Sequence, residues 1–327
     1  TGGGPGTAGG NPRTTKPEDD GSSDNTVDGG KISVGDISTQ NGKTSAKIDS
    51  GSMQNAVSNL ENSKQAEKKI TIEIPAGSSD EVEVGLDSES VELIKQVQSV
   101  EIKTEVADFE INADTFGKAA EGEEISLTAK KVEASQIPED AGIPEGSIIV
   151  DLDAKIGKNK VSSFNEPIKV AIPYGGSAAD GDAVTVYLLK EDGSTEPVGG
   201  IYDAQTGKVK FITGHFSKYF ARVSLKEFAD ASQVPWAKNA ISIMAGKGII
   251  NGKSEEAYDP YAGITRAEFA ALVTRMLRYE GGGEISFKDV DSSKWYYSAI
   301  ATAYTKGLIN GKSEEKFDPD GKITRQE

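Results

Sequence analysis

Gly248-Ile249-Ile250-Asn251-Gly252-Lys253-Ser254-Glu255-Glu256, followed by Tyr258-Asp259-Pro260 and Ile264-Thr265-Arg266-Ala267-Glu268, decides how this chain is built. It returns almost letter for letter 59 residues on, as Gly307-Leu308-Ile309-Asn310-Gly311-Lys312-Ser313-Glu314-Glu315, Phe317-Asp318-Pro319 and Ile323-Thr324-Arg325-Gln326-Glu327. The same offset carries Phe228 to Phe287, Asp230 to Asp289, Trp236 to Trp295 and Ala240-Ile241 to Ala299-Ile300. A constant offset without insertion marks two copies of one structural unit.

Each copy reads as helix, loop, helix. The first helix spans about 236–247, with Ala240, Ile241, Ile243 and Met244 expected inward. Gly248 then suits a left-handed C-cap, since glycine takes that conformation without steric cost. Asn251-Gly252 is a turn signal. Thr265-Arg266-Ala267-Glu268 is a capping box that opens the second helix. Phe269, Leu272, Val273, Met276 and Leu277 follow at helical spacing and predict its buried stripe. Arg266 is the odd residue, because a cation in the first turn opposes the helix dipole. Two readings follow. Arg266, and Arg325 in copy two, hold a small anion at the helix start, or each pairs with a neighbouring carboxylate such as Glu255, Glu256 or Asp259. Trp236 and Trp295 read first as core anchors of the first helix, second as sugar platforms. Asp318-Pro319-Asp320-Gly321 hints at a calcium loop, but copy one has Tyr261 at the position of Asp320, so no metal site is assigned.

Upstream, residues 31–225 follow period two. Lys69 to Ile74, Glu81 to Val84, Val100 to Thr104, Ile125 to Thr128, Ile168 to Ile172, Val184 to Leu188, Lys208 to Ile212 and Tyr219 to Val223 alternate, as half-buried strands do. Ile148 to Asp153 adds another strand. Asn41-Gly42, Asp192-Gly193 and Thr206-Gly207 punctuate them as turns. Short helices are expected over 52–68 and from Ser90 to Val97. Many strands and few helices predict a β-sandwich or two small β-modules. Residues 1–30 are Gly, Pro, Thr, Ser and Asp with almost no apolar side chain, the composition of a disordered linker. The organisation is thus multidomain: linker 1–30, mainly-β sandwich-like spacer 31–225, and all-α helix-loop-helix repeats over 226–283 and 284–327, the second incomplete. The chain reads as a segment of a longer protein.

The 327 residues carry a net charge of −16. From Lys226 onward the balance is only −1, so −15 belongs to the preceding residues. That acidity should repel nucleic acid and anionic lipid. No run of 18 apolar residues is present to insert in a membrane. The chain has no cysteine and one histidine. The imidazole of His215, beside a strand in Thr213-Gly214-His215-Phe216, suits a hydrogen bond to a backbone carbonyl across a turn better than catalysis. No nucleophile elbow, phosphate loop or nucleotide fingerprint is present. The expectation is a protein without catalytic residues or cofactor.

The residues Phe228-x-Asp230, Trp236, Gly248-Ile249-Ile250-Asn251-Gly252, Asp259-Pro260 and Ile264-Thr265-Arg266-Ala267-Glu268, with their counterparts from Phe287 to Glu327, resemble the S-layer homology family of bacterial surface proteins. The resemblance implies three tandem repeats in a pseudo-threefold helical bundle. It implies grooves between them that bind a secondary cell-wall polysaccharide, often through a pyruvylated amino sugar. A pyruvate ketal carries a carboxylate, which Arg266 and Arg325 would suit. Lys253 and Lys312 would lie in the same grooves, and Gly252 and Gly311 would permit close backbone approach. Only one repeat and most of a second are present. Residues 31–225 are also similar to a β-rich module that precedes such repeats, through Pro167 to Tyr174 and Thr213 to Tyr219. The implied role is a non-catalytic anchor outside the cell, at the wall or S-layer. The alternatives are the tail of, or β-module within, a polysaccharide-degrading enzyme, and a lattice or adhesin subunit that self-associates.

Overall fold

A computed structural model describes residues 1, 25–63, 66–133, 136–138, 141–279 and 281–324. The linker expected over 1–30 lies mostly outside them, as does Arg325. Strand structure begins before the boundary drawn at residue 30, because Thr26–Asp28 pairs with Lys31–Ser33.

Alternating sequence becomes two facing sheets. The first contains, in spatial order, β1 (Thr26–Asp28), β2 (Lys31–Ser33), β5 (Lys69–Glu73), β7 (Ser99–Lys103), β8 (Asp108–Ile111), β12 (Ile168–Pro173), β16 (Lys208–Thr213) and β15 (Ile201–Asp203). The second runs β14 (Thr195–Gly199), β13 (Val184–Leu189), β17 (Lys218–Val223), β10 (Ile149–Ile156), β9 (Ile125–Val132), β6 (Glu81–Leu86), β4 (Lys43–Ile48) and β3 (Ile37–Gln40), with β11 (Asn159–Lys160) beside β10. Most pairs are antiparallel, but β2–β5, β5–β7 and β4–β6 are parallel. The chain crosses between sheets there, so consecutive strands do not form hairpins.

One core decides between a sandwich and two modules. Ile70, Ile72, Val100, Ile102, Val170 and Phe211 of the first sheet pack with Val82, Val84, Leu127, Leu152 and Val186 of the second in a single buried cluster. The outer faces are charged, in cross-strand ladders such as Lys69 with Glu101 and Glu110. The helix α1 (Ser50–Glu61) buries Met53, Val57 and Leu60 against this core and is capped by Asp49. It starts and stops earlier than the span 52–68. A second short helix, α2 (Ser88–Leu93), is capped by Asp87 rather than by Ser90. His215 offers its backbone carbonyl to the Tyr219 hydroxyl at 2.8 Å and to Thr213 Oγ1 at 2.7 Å.

The repeats supply α4 (Pro235–Gly246) and α5 (Arg266–Leu277) in copy one and α6 (Tyr297–Thr305) in copy two, after α3 (Ala113–Phe116) in the sandwich. Gly248 and Gly307 follow their helices at φ 70° and 68°. In α5 the expected stripe is corrected. Ala267, Ala270, Ala271 and Thr274 are buried, while Phe269, Leu272 and Val273 are half-buried and Met276 is exposed. The small residues let α6 approach closely, packing Ile300 and Ala303 against the Ala267–Ala270 face. In α4, Ile241, Ser242, Ala245 and Gly246 are buried, whereas Ala240 is exposed and Ile243 and Met244 are half-buried. No helix among the described residues is long and apolar enough to cross a membrane.

Candidate inter-repeat binding site

The loop after each first helix has the same architecture twice. Asp230 accepts the Tyr258 and Asp259 amides at 2.9 and 2.7 Å, and Asp289 accepts those of Phe317 and Asp318 at 2.9 and 2.7 Å. Those amides hold the Asp230 carboxyl below its ordinary range. At Asp289 burial pushes upward, but the two amides outweigh it and the net shift is down. The bonds fix Asp259 and Asp318 in the left-handed region, at φ 61° and 66°. Lys253 N bonds Ala257 O and Lys312 N bonds Lys316 O, each at 2.8 Å, closing the Gly-Lys-Ser turn.

Within each turn the glycine answers to packing. A Cβ on Gly252 would lie 2.4 Å from Phe228 Cε1 and 2.5 Å from Ser254 O. A Cβ on Gly311 would lie 2.4 Å from Phe287 Cε1 and 2.6 Å from Ser313 O. The close approach these glycines permit is that of their own repeat's phenylalanine and loop carbonyls.

The capping box forms as its sequence indicates. Thr265 Oγ1 accepts the Glu268 amide at 3.1 Å, and Glu268 Oε2 accepts the Thr265 amide at 2.9 Å. Arg266, one residue inside it, turns across to copy two. Its Nε donates to Phe317 O at 2.8 Å and an Nη to Asn310 O at 2.6 Å, with the guanidinium 4.7 Å from the Phe317 ring centroid. Only 7% of the residue is exposed. Its backbone amide also bonds Gly321 O at 2.9 Å, and Thr265 bridges to Lys322. The start of α5 is therefore sewn to the loop of the next copy.

This stitching leaves two grooves on opposite sides of α5. In the copy-two groove, about 410 Å³, Arg266 and Phe269 face Asn310, Gly311 and Lys312 across a floor of Leu308 and Phe317. Lys312 keeps 41% of its side chain exposed, with Asp318 Oδ2 at 3.9 Å. The copy-one groove is lined by Ile250, Gly252, Lys253, Glu268 and Leu272, with Trp295 contributed by copy two. There Lys253 is ion-paired to Glu268. Burial pushes the Glu268 carboxyl up, but Lys253 and the Thr265 cap bring it below its ordinary value.

Neither tryptophan is a core anchor. Trp236 is 88% exposed and Trp295 63%. Trp295 packs edge-on against Tyr296, with centroids 5.4 Å apart, and turns its remaining surface to the copy-one groove. Arg275 escaped the sequence reading. It lines the same groove, and burial lowers its guanidinium pKa. Glu268, Leu272 and Arg275 at spacings of four and three were the available signal, since they share one face of α5. No cluster of metal-ligating side chains occurs among the described residues.

Comparison with known proteins places this geometry. Residues 227–270 and 286–327 match the S-layer homology domain. The chain is 35% identical to an amylopullulanase of Thermoanaerobacterium thermosulfurigenes over 51% of its own length and 8% of the enzyme's. That alignment, 170 residues long, exceeds the 227–327 segment and so takes in part of the β-rich region. Identity is 37% to the surface-layer 125 kDa protein of Lysinibacillus sphaericus, over 28% of this chain and 8% of that protein. It is 34% to S-layer protein EA1 of Bacillus anthracis, over 31% and 12%. The chain thus spans only about a tenth of the relatives it matches.

Proposed function

We propose that residues 227–327, which carry S-layer homology repeats, hold this protein to the cell wall by taking an acidic wall polysaccharide into the grooves between copies. The observation that carries the reading is Arg266. It comes from copy one, yet it shapes the groove of copy two and stands there with Lys312. The exposed Lys312 ammonium, with the buried Arg266 guanidinium behind the Asn310-Gly311 backbone, makes the wall positive and suits it to a carboxylate such as a pyruvate ketal. Across α5, Trp295 offers an exposed aromatic face of the kind that sugars stack on. Each contact is weak in water, and adjacent grooves on one polymer raise the avidity. No step of this role requires catalysis or a cofactor.

The protein belongs on this reading at the cell surface, against the wall, where S-layer relatives would also favour self-association. A second reading, an anchor attached to a polysaccharide-degrading enzyme, is favoured by the amylopullulanase match.

Co-sedimentation with purified, protein-free wall sacculi tests the proposal. The chain should pellet with intact walls and stay in solution once the polysaccharide is extracted with mild acid. A Lys312→Ala, Trp295→Ala double variant should lose pelleting with its circular dichroism unchanged. Equal pelleting with extracted walls would remove the polysaccharide from the account.

A further inference from the structure

Among the described residues, the three α-helices of the repeats each end on a cation. Lys247, Arg278 and Lys306 are the C-cap residues of α4, α5 and α6. A cation there complements its own helix dipole, but each of these reaches into the β-rich region instead. Lys247 Nζ donates to Val184 O at 3.0 Å and also to Gly200 O. Arg278 donates through Nε to Val198 O at 3.2 Å and through Nη2 to Pro197 O at 2.5 Å. Lys306 Nζ bonds Glu166 Oε1 at 2.7 Å and lies 4.8 Å from the Tyr279 ring centroid.

We propose that the sandwich is the fixed platform of the repeats: the terminal cations of α4, α5 and α6 clamp the two into one rigid body, so the grooves keep one orientation relative to it. Three attachment points on separate helices, received at Val184 with Gly200, at Pro197-Val198 and at Glu166, fix all rotations between two bodies. The connection has no slack. Lys226 N bonds Ser242 O at 3.1 Å and Ser224 Oγ bonds Gly246 O at 3.0 Å, so the joining residues lie on α4. Contact is backbone to backbone at Gly246, where a Cβ would stand 2.2 Å from Ser224 O.

Lys247 shows that the arrangement is specific. It is 7% exposed, and burial depresses its pKa. Burying an ammonium carries a desolvation cost that an apolar side chain of similar length would avoid. What the lysine adds is direction, because its bonds aim at two carbonyls far apart in sequence, Val184 at the start of β13 and Gly200 between β14 and β15. One of the three, Lys306, meets a carboxylate of the acidic upstream region, Glu166. The amylopullulanase alignment, which takes in part of the β-rich region, also fits a paired unit. The inference is independent of what the grooves bind.

The absence of cysteine makes a distance measurement clean. Spin labels at Ser38→Cys on β3 and Ser293→Cys beside copy two report the separation by double electron–electron resonance on the full chain. The expected result is one narrow distance peak. Lys306→Glu with Arg278→Glu should broaden it several-fold, and adding Glu166→Lys should partly restore it. A broad distribution in the otherwise unaltered chain overturns the rigid body, and does so even if the charge-reversed variants fail to fold. A narrow peak that persists in the folded charge-reversed variant overturns the clamp.

Discussion

Arg266 is a residue whose own helix would be better without it. Its charge opposes the α5 dipole, and the compensation lies in copy two, where it donates to Asn310 O and Phe317 O. Arg266→Ala should therefore lower the stability of the helical repeats by roughly 3 kcal/mol, the scale of losing charge-assisted bonds to buried acceptors. Chemical denaturation followed by circular dichroism reads that loss. Gly311→Ala should cost about 1–3 kcal/mol by overpacking, since its Cβ has nowhere to go beside Phe287. Asp289 sets the pH response. Its folded pKa lies below the ordinary value of 3.8, so its contribution is complete above that value and is lost as pH falls through the folded pKa. Asp289→Asn should lower stability near neutrality, with the deficit shrinking in acid; a deficit that stays constant in acid would contradict this. The repeat spacing made both Arg266 and Arg325 visible from sequence. It could not show where Arg266 goes, because its partners lie 44 and 51 residues away and are backbone carbonyls, which have no sequence signature.

Element by element, periodicity was most informative where one face alone is buried. Strand alternation located nearly all the long strands, and Met53, Val57 and Leu60 identified the buried face of α1. It misled on α5, where apolar residues occupy two faces. Large side chains line the groove sides, and alanines take the seam with α6 because close helix approach requires small residues there. Ala270→Leu should accordingly destabilise by about 1–3 kcal/mol through overpacking, more than Met276→Leu on the exposed side; comparable melting points for the two would count against this seam. Thr265→Ala should cost ~1 kcal/mol as a lost N-cap. The tryptophans were misread for a related reason. An aromatic at or just before the start of a helix is compatible with a core or a surface, and only the position of the neighbouring copy separates them.

For the whole molecule, sequence marked the division between β-rich and helical parts at about residue 225, and the last strand ends at Val223. It could not show that the two parts are joined by Lys247, Arg278 and Lys306, because solitary cations after helices are common for local reasons. Nor could it distinguish one sandwich from two modules, which depends on strands exchanging between sheets.

The central claim is that an acidic wall glycan enters beside α5. The chain has two tryptophans, so Trp236→Phe leaves Trp295 as the sole indole, a reporter in the copy-one groove for a polymer that also occupies the Arg266 and Lys312 groove across α5. Titrating this variant with purified wall polysaccharide, native and after removal of its ketal-linked pyruvate, is the most direct measurement. The account predicts a saturable change in Trp295 fluorescence with the native polymer and at least tenfold weaker binding without the carboxylate, about 1.4 kcal/mol. No response to the native polymer, or equal affinity for both, would contradict it.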